Sequence, residues 1–482
     1  MSSSLRARPR SRWWALIVIS LTQLVVVLDG TIVNIALPRA QAALGLSDGQ
    51  RQWVVTAYAL AFGALLLLGG RIADYVGRKR IFLVGMVGFG AASLYGGLAQ
   101  QGWELILARG LQGAFAALLA PAALALLTVT FPSGRERNTA FAVFGTVAGT
   151  GAAVGLLLGG VLTEFADWRW CLLVNLFFVV VGVVGGALFL TESRAEGDNR
   201  YDVWGALFVT LGLGALVYGF SLAENGWGEP LTIAFLAIGL ALLGIFVWVE
   251  SWVAQPLLPL RVVADRVRGG AFLIQGVAGA IMIGATVYLT FHLQFVLGMG
   301  ALQAGLASLP LPLATMALAP VATKLLPVIG PRPQLIVGPV VAAVGLFLLS
   351  GITPDGAYLV QIAPGLVLLG IGMGFIFIPL QNLALSGVAP YDAGVASAVA
   401  NSAMQIGGSI GLSVFTAVYA ASVGGRAQGE VSPHQLTDAY GWIFLVAAIL
   451  MLAASVIATA MVRGTKEELL PSQNAPVVVA GH

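Results

Sequence analysis

The sequence predicts an all-α integral membrane protein with fourteen membrane-crossing helices, and three observations predict it. Of the 482 residues, 59% are hydrophobic and 9% charged, where a soluble domain carries about 25% charge. The mean hydropathy is +0.93. The apolar residues fall into fourteen runs separated by short polar breaks, most of them near the ~20 residues that a bilayer core requires. The 62 glycines and 21 prolines fit the same class, because membrane helices tolerate both better than soluble ones do. A single cysteine, Cys171, excludes an internal disulfide and a cysteine-based metal cluster. His292, His434 and His482 lie too far apart in sequence to suggest a zinc site.

The expected spans are 14–37, 52–70, 81–98, 103–128, 139–162 and 170–190, then 203–222 and 231–249, then 270–297, 304–326, 335–350, 359–385, 394–421 and 440–462. They imply a tail at 1–12, a six-helix half at 13–190, two inserted helices with linkers at 191–268, a second six-helix half at 269–466 and a tail at 467–482. Arg6, Arg8, Arg10 and Arg12 precede the first run, and Ala40-Gln41-Ala42 resembles a cleavage site. A secretory signal has an apolar core of only about 7–15 residues. The longer run at 13–37 is therefore read as a retained helix.

Orientation follows from the basic residues. With the N-terminus inside, nineteen Lys and Arg fall in inner segments and four (Arg39, Arg51, Arg169 and Arg426) in outer ones. That is a strong positive-inside bias, and it places both termini in the cytoplasm of a plasma-membrane protein. A weak internal repeat supports two halves. The inner loops at 70–80 and 322–332 place Gly-Arg (Gly77-Arg78) and Gly-x-Arg (Gly330-Pro331-Arg332) at the start of the next helix. Repeats of this kind are a transporter architecture, with the substrate site between the halves.

Two charges stand out because they lie inside spans. Asp29 sits in the stretch Leu28-Asp29-Gly30-Thr31-Ile32-Val33-Asn34-Ile35-Ala36-Leu37-Pro38, and Arg109 sits in the fourth run. A charge near the bilayer centre costs at least ~2.5–3.5 kcal/mol, faces the protein interior and often marks an ion path. At about 1.5 Å per residue, Arg109 lies roughly 9 Å and Asp29 roughly 12 Å from the same outer surface. The two can pair directly or through a polar residue such as Gln112 or Asn34. A carboxylate there is pulled two ways, since burial favours the neutral acid and a guanidinium favours the anion. Loading and release of a proton is one reading; a static pair that fixes helix packing is the other.

The loop at 70–80 combines Gly70, Asp74, Gly77, Arg78, Lys79 and Arg80. Glycine allows the flanking helices to approach closely. Asp74 can meet a helix N-terminus or pair with an arginine, which makes a conformational latch; an ordinary basic loop is the plain alternative. The fifth run carries Gly151, Gly155 and Gly159 at i, i+4 spacing, followed by Gly160. That spacing lines one helix face and lets a neighbour pack closely.

This loop resembles the signature loop of the major facilitator superfamily, and residues 28–38 resemble the first-helix signature of its fourteen-span drug:proton antiporters. Arg109-Gly110-Leu111-Gln112-Gly113, Trp168-Arg169-Trp170 followed by Asn175, Glu224-Asn225-Gly226-Trp227, and Asn401 with Gln405-Ile406-Gly407-Gly408 also look like that family. The resemblance runs nearly end to end. It implies the major facilitator fold and a proton-driven exporter of amphipathic, often cationic or aromatic compounds. It also implies proton coupling through Asp29 and Arg109, and no cofactor beyond the proton gradient. The fifth-run glycines resemble the family's antiporter signature, with one departure: Leu156 stands where the family usually has proline. Proline would bend the helix by removing a backbone hydrogen bond. Pro327 likewise stands where the second-half loop would carry an acidic residue, so a second latch is expected to be degenerate.

Candidates for a substrate cavity are Asn34, Tyr58, Phe62, Gln112, Phe115, His292, Phe375, Phe377, Asn401 and Gln405. Asn401 and Gln405 share a helix face and either contact substrate or bond across helices. His292 has a side chain that titrates near neutral pH when unperturbed, and packing is its plain alternative. No Gly-Lys dipeptide exists, so no Walker-type phosphate loop and no sign of an ATP-driven pump is present. Gly45-Leu46-Ser47-Asp48-Gly49 matches the nucleophile-elbow string without its strand-to-helix context. The chain is expected to be a transporter and not an enzyme, acting as a monomer on small amphipathic or cationic substrates and protons in a lipid bilayer, without nucleic acid. The alternatives are an exporter of lipids or lipid-like metabolites, a facilitator without proton coupling, and a transport-inactive sensor or scaffold.

Overall fold

Among the described residues of the computed structural model, fourteen helices are long and apolar enough to cross a membrane. They are α1 (Arg12–Leu44), α2 (Asp48–Val76), α3 (Arg78–Gly97), α4 (Gly102–Thr130), α5 (Gly134–Phe165), α6 (Trp170–Phe189), α7 (Val203–Leu222), α8 (Pro230–Trp252), α9 (Arg266–Val296), α10 (Ala301–Ile329), α11 (Pro331–Ser350), α12 (Tyr358–Leu385), α13 (Ala393–Val423) and α14 (Pro433–Met461). The structure describes residues 9–132, 134–194, 202–223, 226–253, 255–388, 392–424, 426 and 430–470, and no strand occurs among them. Glu224 and Asn225 of the motif named above, and most of both tails, lie outside the described residues.

The number of spans agrees with the apolar runs, and the ends move where capping overrides hydropathy. α2 starts before its apolar run because Ser47 and Gln50 form a capping box: Ser47 Oγ accepts from the Gln50 amide at 3.2 Å, and Gln50 Oε1 accepts from the Ser47 amide at 3.1 Å. α14 starts seven residues before position 440, at Pro433 behind Ser432, since its first two turns are polar. α10 is interrupted at Leu309 just before Pro310, which has no amide hydrogen to donate. α9 carries two wide π-helical turns, at Ala280–Ala285 and His292–Val296. The first faces α13 at Gly408 and Gly411.

α1–α6 pack on one another, α9–α14 do the same, and the α7–α8 hairpin leans on α2 and α13. The repeat seen in the sequence has a backbone counterpart. Gly77 (φ +130°) ends α2 and begins α3, and Gly330 (φ +80°) ends α10 and begins α11.

The two six-helix groups meet most closely at the end opposite the 70–80 loop. There Glu164 Oε2 accepts from the Ala301 amide at 2.8 Å. Gln294 Nε2 donates to the Ile35 carbonyl at 3.0 Å, and Gln52 Nε2 donates to Ser413 Oγ at 2.6 Å. The buried Arg51 guanidinium lies 4.1 Å from the centre of the Phe291 ring. Toward the end that carries the 70–80 loop, a side chain at Gly145 or Gly149 of α5 would meet no neighbouring helix within 4 Å. The groups are thus bonded to each other at one end, and toward the other α5 stands clear of its neighbours at Gly145 and Gly149.

Candidate functional site

Asp29 and Arg109 meet directly inside the α1–α6 group. α1 delivers Asp29 and α4 delivers Arg109, and the Arg109 Nη1 group donates to Asp29 Oδ2. The second carboxylate oxygen accepts from Gln112 Nε2 at 3.0 Å and from Asn175 Nδ2 of α6 at 2.7 Å. Gln112 also accepts from Arg109 at 2.8 Å and donates to Ser93 Oγ of α3 at 2.8 Å. The guanidinium is completed by Arg109 Nε donating to the Val54 carbonyl at 3.2 Å and by the Tyr58 ring 4.3 Å beneath it.

Asp29, Gln112, Ser93 and Asn175 are wholly buried, and Arg109 is 1% exposed. Desolvating two charges costs several kcal/mol per ion unless further hydrogen bonds satisfy them. Here the neutral donors and acceptors of four helices supply those bonds. Such a site holds one carboxylate at a fixed place, with three donors whose grip loosens if the carboxylate gains a proton. Charge-assisted bonds are roughly twice as strong as neutral ones.

Span-five glycines build the neighbouring wall. A Cβ on Gly151 would press on Val27, one on Gly155 on Thr31 Oγ1 and the Leu28 carbonyl, and one on Gly159 on the Ile32 carbonyl. These three therefore seat α5 on the turns of α1 that carry Asp29. Gly160 points elsewhere: its Cβ would lie 2.8 Å from Leu302 Cα, in the contact with α10. α5 runs unbroken through Leu156.

The 70–80 stretch, expected as a loop, is helical except for Gly77, because α2 runs on to Val76 and α3 starts at Arg78. Within it Asp74 Oδ1 accepts from Arg78 Nη2 at 2.7 Å and Nε at 2.8 Å. Glu192, just after α6, accepts from the Lys79 and Arg80 amides at 3.1 and 3.2 Å, as a carboxylate at a helix N-terminus does. Lys79 Nζ donates to the Ala187 carbonyl. Gly70 packs on Pro121. Gly77→Ala is expected to destabilise the protein by about 1–3 kcal/mol, because its φ admits no ordinary side chain and the Cβ would sit 2.8 Å from the Glu192 carboxylate. Gly70→Ala, 3.5 Å from Pro121 Cβ, is expected to leave the melting temperature in detergent nearly unchanged.

The cavity candidates do not gather in one pocket. Tyr58 and Gln112 belong to the Asp29 network, and the Phe62 ring lies tilted beside Tyr58, centroids 5.9 Å apart. Asn34 is buried with its Oδ1 unpartnered. The Phe115 ring packs on Gly88 of α3, the Phe375 Cβ lies at Gly338 of α11, and Phe377 lies against the large apolar core. That Phe115 faces a glycine of its own group is something apolarity alone does not reveal. His292 is wholly buried among aromatic residues, edge-on to Tyr440 at 6.2 Å, and neither ring nitrogen has a hydrogen-bond partner. Gln405 abuts Gly63 where α2 meets α13. Asn401 is exposed and donates to the Ser397 carbonyl of its own helix. Ser93 and Glu192 were not among the sequence candidates, and Asn175 appeared there only inside a motif.

A family model described as Major Facilitator Superfamily matches residues 19–412. The chain belongs to that superfamily. This facilitator is 45% identical over 478 residues to the puromycin resistance protein of Streptomyces alboniger, covering 97% of this chain and 95% of that one. It is 40% identical over 452 residues to the cephamycin export protein of Amycolatopsis lactamdurans, covering 92% and 91%. A solved structure of an autoinhibited peptide transporter of the POT family superposes with a TM-score of 0.67 at 14% identity, covering 94% of this chain and 97% of that one. That likeness shows the fold alone. The facilitator is a multi-pass membrane transporter.

Proposed function

We propose that this facilitator is a proton-coupled exporter of hydrophobic or cationic small molecules, working by alternating access between its two six-helix groups. The observation that carries the reading is the buried Asp29–Arg109 pair, saturated by Gln112 and Asn175. It is a carboxylate whose protonation changes the bonding of three helices at once. Two relatives, one a puromycin resistance protein and the other a cephamycin export protein, support the export of drug-like molecules. The basic end faces the cytoplasm of a plasma membrane in this reading, so the end where the groups are bonded to each other faces outward. The proton gradient drives the cycle of a monomer, with no cofactor. Asp74, Arg78 and Glu192 act as the latch, and the residues near the α2–α13 contact take part in the substrate path.

The test is Asp29→Asn in proteoliposomes with an imposed pH gradient. Efflux of a cationic dye is expected to fall at least tenfold and to lose its dependence on the gradient. Unchanged efflux with unchanged pH dependence overturns coupling through Asp29. A facilitator without proton coupling is the second reading, favoured by Leu156, which leaves α5 uninterrupted where the family usually has proline; it requires wild-type flux that ignores the pH gradient.

A further inference from the structure

A second pair of carboxyl groups is buried where the α7–α8 hairpin meets the basic end. Asp202 caps α7, with Oδ1 accepting from the Gly205 amide at 2.8 Å. Glu250, in the last turn of α8, accepts from the Leu258 amide through Oε2 at 3.0 Å. Asp202 is 8% exposed and Glu250 4%. Their remaining oxygens, Asp202 Oδ2 and Glu250 Oε1, have no hydrogen-bond partner among the described residues. Both are aimed at one spot: a Cβ on Gly205 would lie 2.7 Å from Glu250 Oε1 and would collide with Asp202 Oδ2.

Two ionised carboxylates in that position repel, and each leaves a buried acceptor unmet. A metal ion wants more ligands, and no group of three His, Cys, Asp or Glu side chains suited to a metal exists among the described residues. One proton resolves both faults, turning one acid into a donor and the other into its acceptor.

We propose that Asp202 and Glu250 form a proton-binding site, separate from Asp29, that holds one shared proton at neutral pH. Among the described residues, the charged groups around it are few. Arg71 of α2 is the cation that faces Glu250; it donates to the Pro256 carbonyl at 3.1 Å and lies 3.5 Å from the Tyr75 hydroxyl. The next cation along the chain, Arg261 in the short helix Leu260–Ala264, is paired with Asp392 at 3.0 Å. The linker residues Gln255, Pro256, Leu257, Leu258 and Pro259 carry no charge. The shared proton therefore pins the start of α7 to the end of α8. Through Leu258 it also holds the linker into the second group, beside the arginine that opens the 70–80 loop. Loss of the proton leaves two negative charges whose facing cation is Arg71.

The test is infrared difference spectroscopy of the purified full-length protein between neutral and alkaline pH. A carboxylic-acid carbonyl band that shifts in deuterium oxide is expected at neutral pH and is lost on alkaline titration. It should vanish in Glu250→Gln and in Asp202→Asn and persist in Asp29→Asn. Glu250→Gln keeps the shape and offers an amide donor to Asp202, so it is expected to fold. It should release one proton fewer per chain than wild type over the same titration. A wild-type protein without such a band, or a band that survives in either folded variant, overturns the proposal. If neither variant folds, the wild-type band alone decides.

Discussion

Arg109→Ala is expected to be the most damaging single substitution in this facilitator. It removes the guanidinium that donates to Asp29 and Gln112 and sits over Tyr58, and it leaves the Asp29 carboxylate buried without a countercharge. Breaking a buried pair from one side costs about 3–5 kcal/mol. The protein should melt far lower in detergent, or fail to accumulate, and drug efflux should be lost. Adding Asp29→Asn to the same chain removes the stranded charge. The double variant is therefore expected to recover part of the stability and none of the proton-driven flux. If the two substitutions simply add, the pair does not interact as described.

Gly155→Val is the second large effect. Its Cβ would run into Thr31 Oγ1 and stand 3.0 Å from the Leu28 carbonyl, so α5 must lift off the turn of α1 that carries Asp29. Overpacking of this kind costs about 1–3 kcal/mol, and the obstacle here includes backbone, which cannot swing aside. Gly149→Val on the same helix, where a Cβ meets no neighbouring helix, should shift stability by no more than about 0.5 kcal/mol. Melting temperatures of the two variants in one detergent make the comparison. A similar loss for both would remove the close α1–α5 contact as the cause.

Span number and the matching height of the two buried charges along their helices were legible because both depend on local quantities. Apolar length fixes the first, and the rise along a helix fixes the second. The i, i+4 glycines were legible for the same reason, up to the point where Gly159 and Gly160 part company. A step of one residue turns the helix by about 100°, and it sends one glycine to α1 and the next to α10 of the other group. The rest depended on how each helix is rotated about its own axis against its neighbours. Ser93 is an ordinary serine in an apolar run until α3 turns it toward Gln112. Glu192 is a loop acid until the start of α3 is laid over it. Phe115 and Phe375 look alike in sequence whether they face lipid, a cavity or a neighbouring glycine.

In the proposed proton-coupled cycle, the joining of Asp29 and Arg109 into one pair would also set how the protein responds to voltage. With Asp29 ionised the two charges cancel, and the membrane field exerts no net pull on them. A proton on Asp29 leaves one uncompensated positive charge in the core of the α1–α6 group. Carrying an elementary charge through the whole field is worth about 2.3 kcal/mol per 100 mV. Any movement of that group through part of the field is thus driven by voltage in the protonated form and is electrically silent in the ionised one. The membrane potential then selects between the two forms even where the pH is equal on both sides.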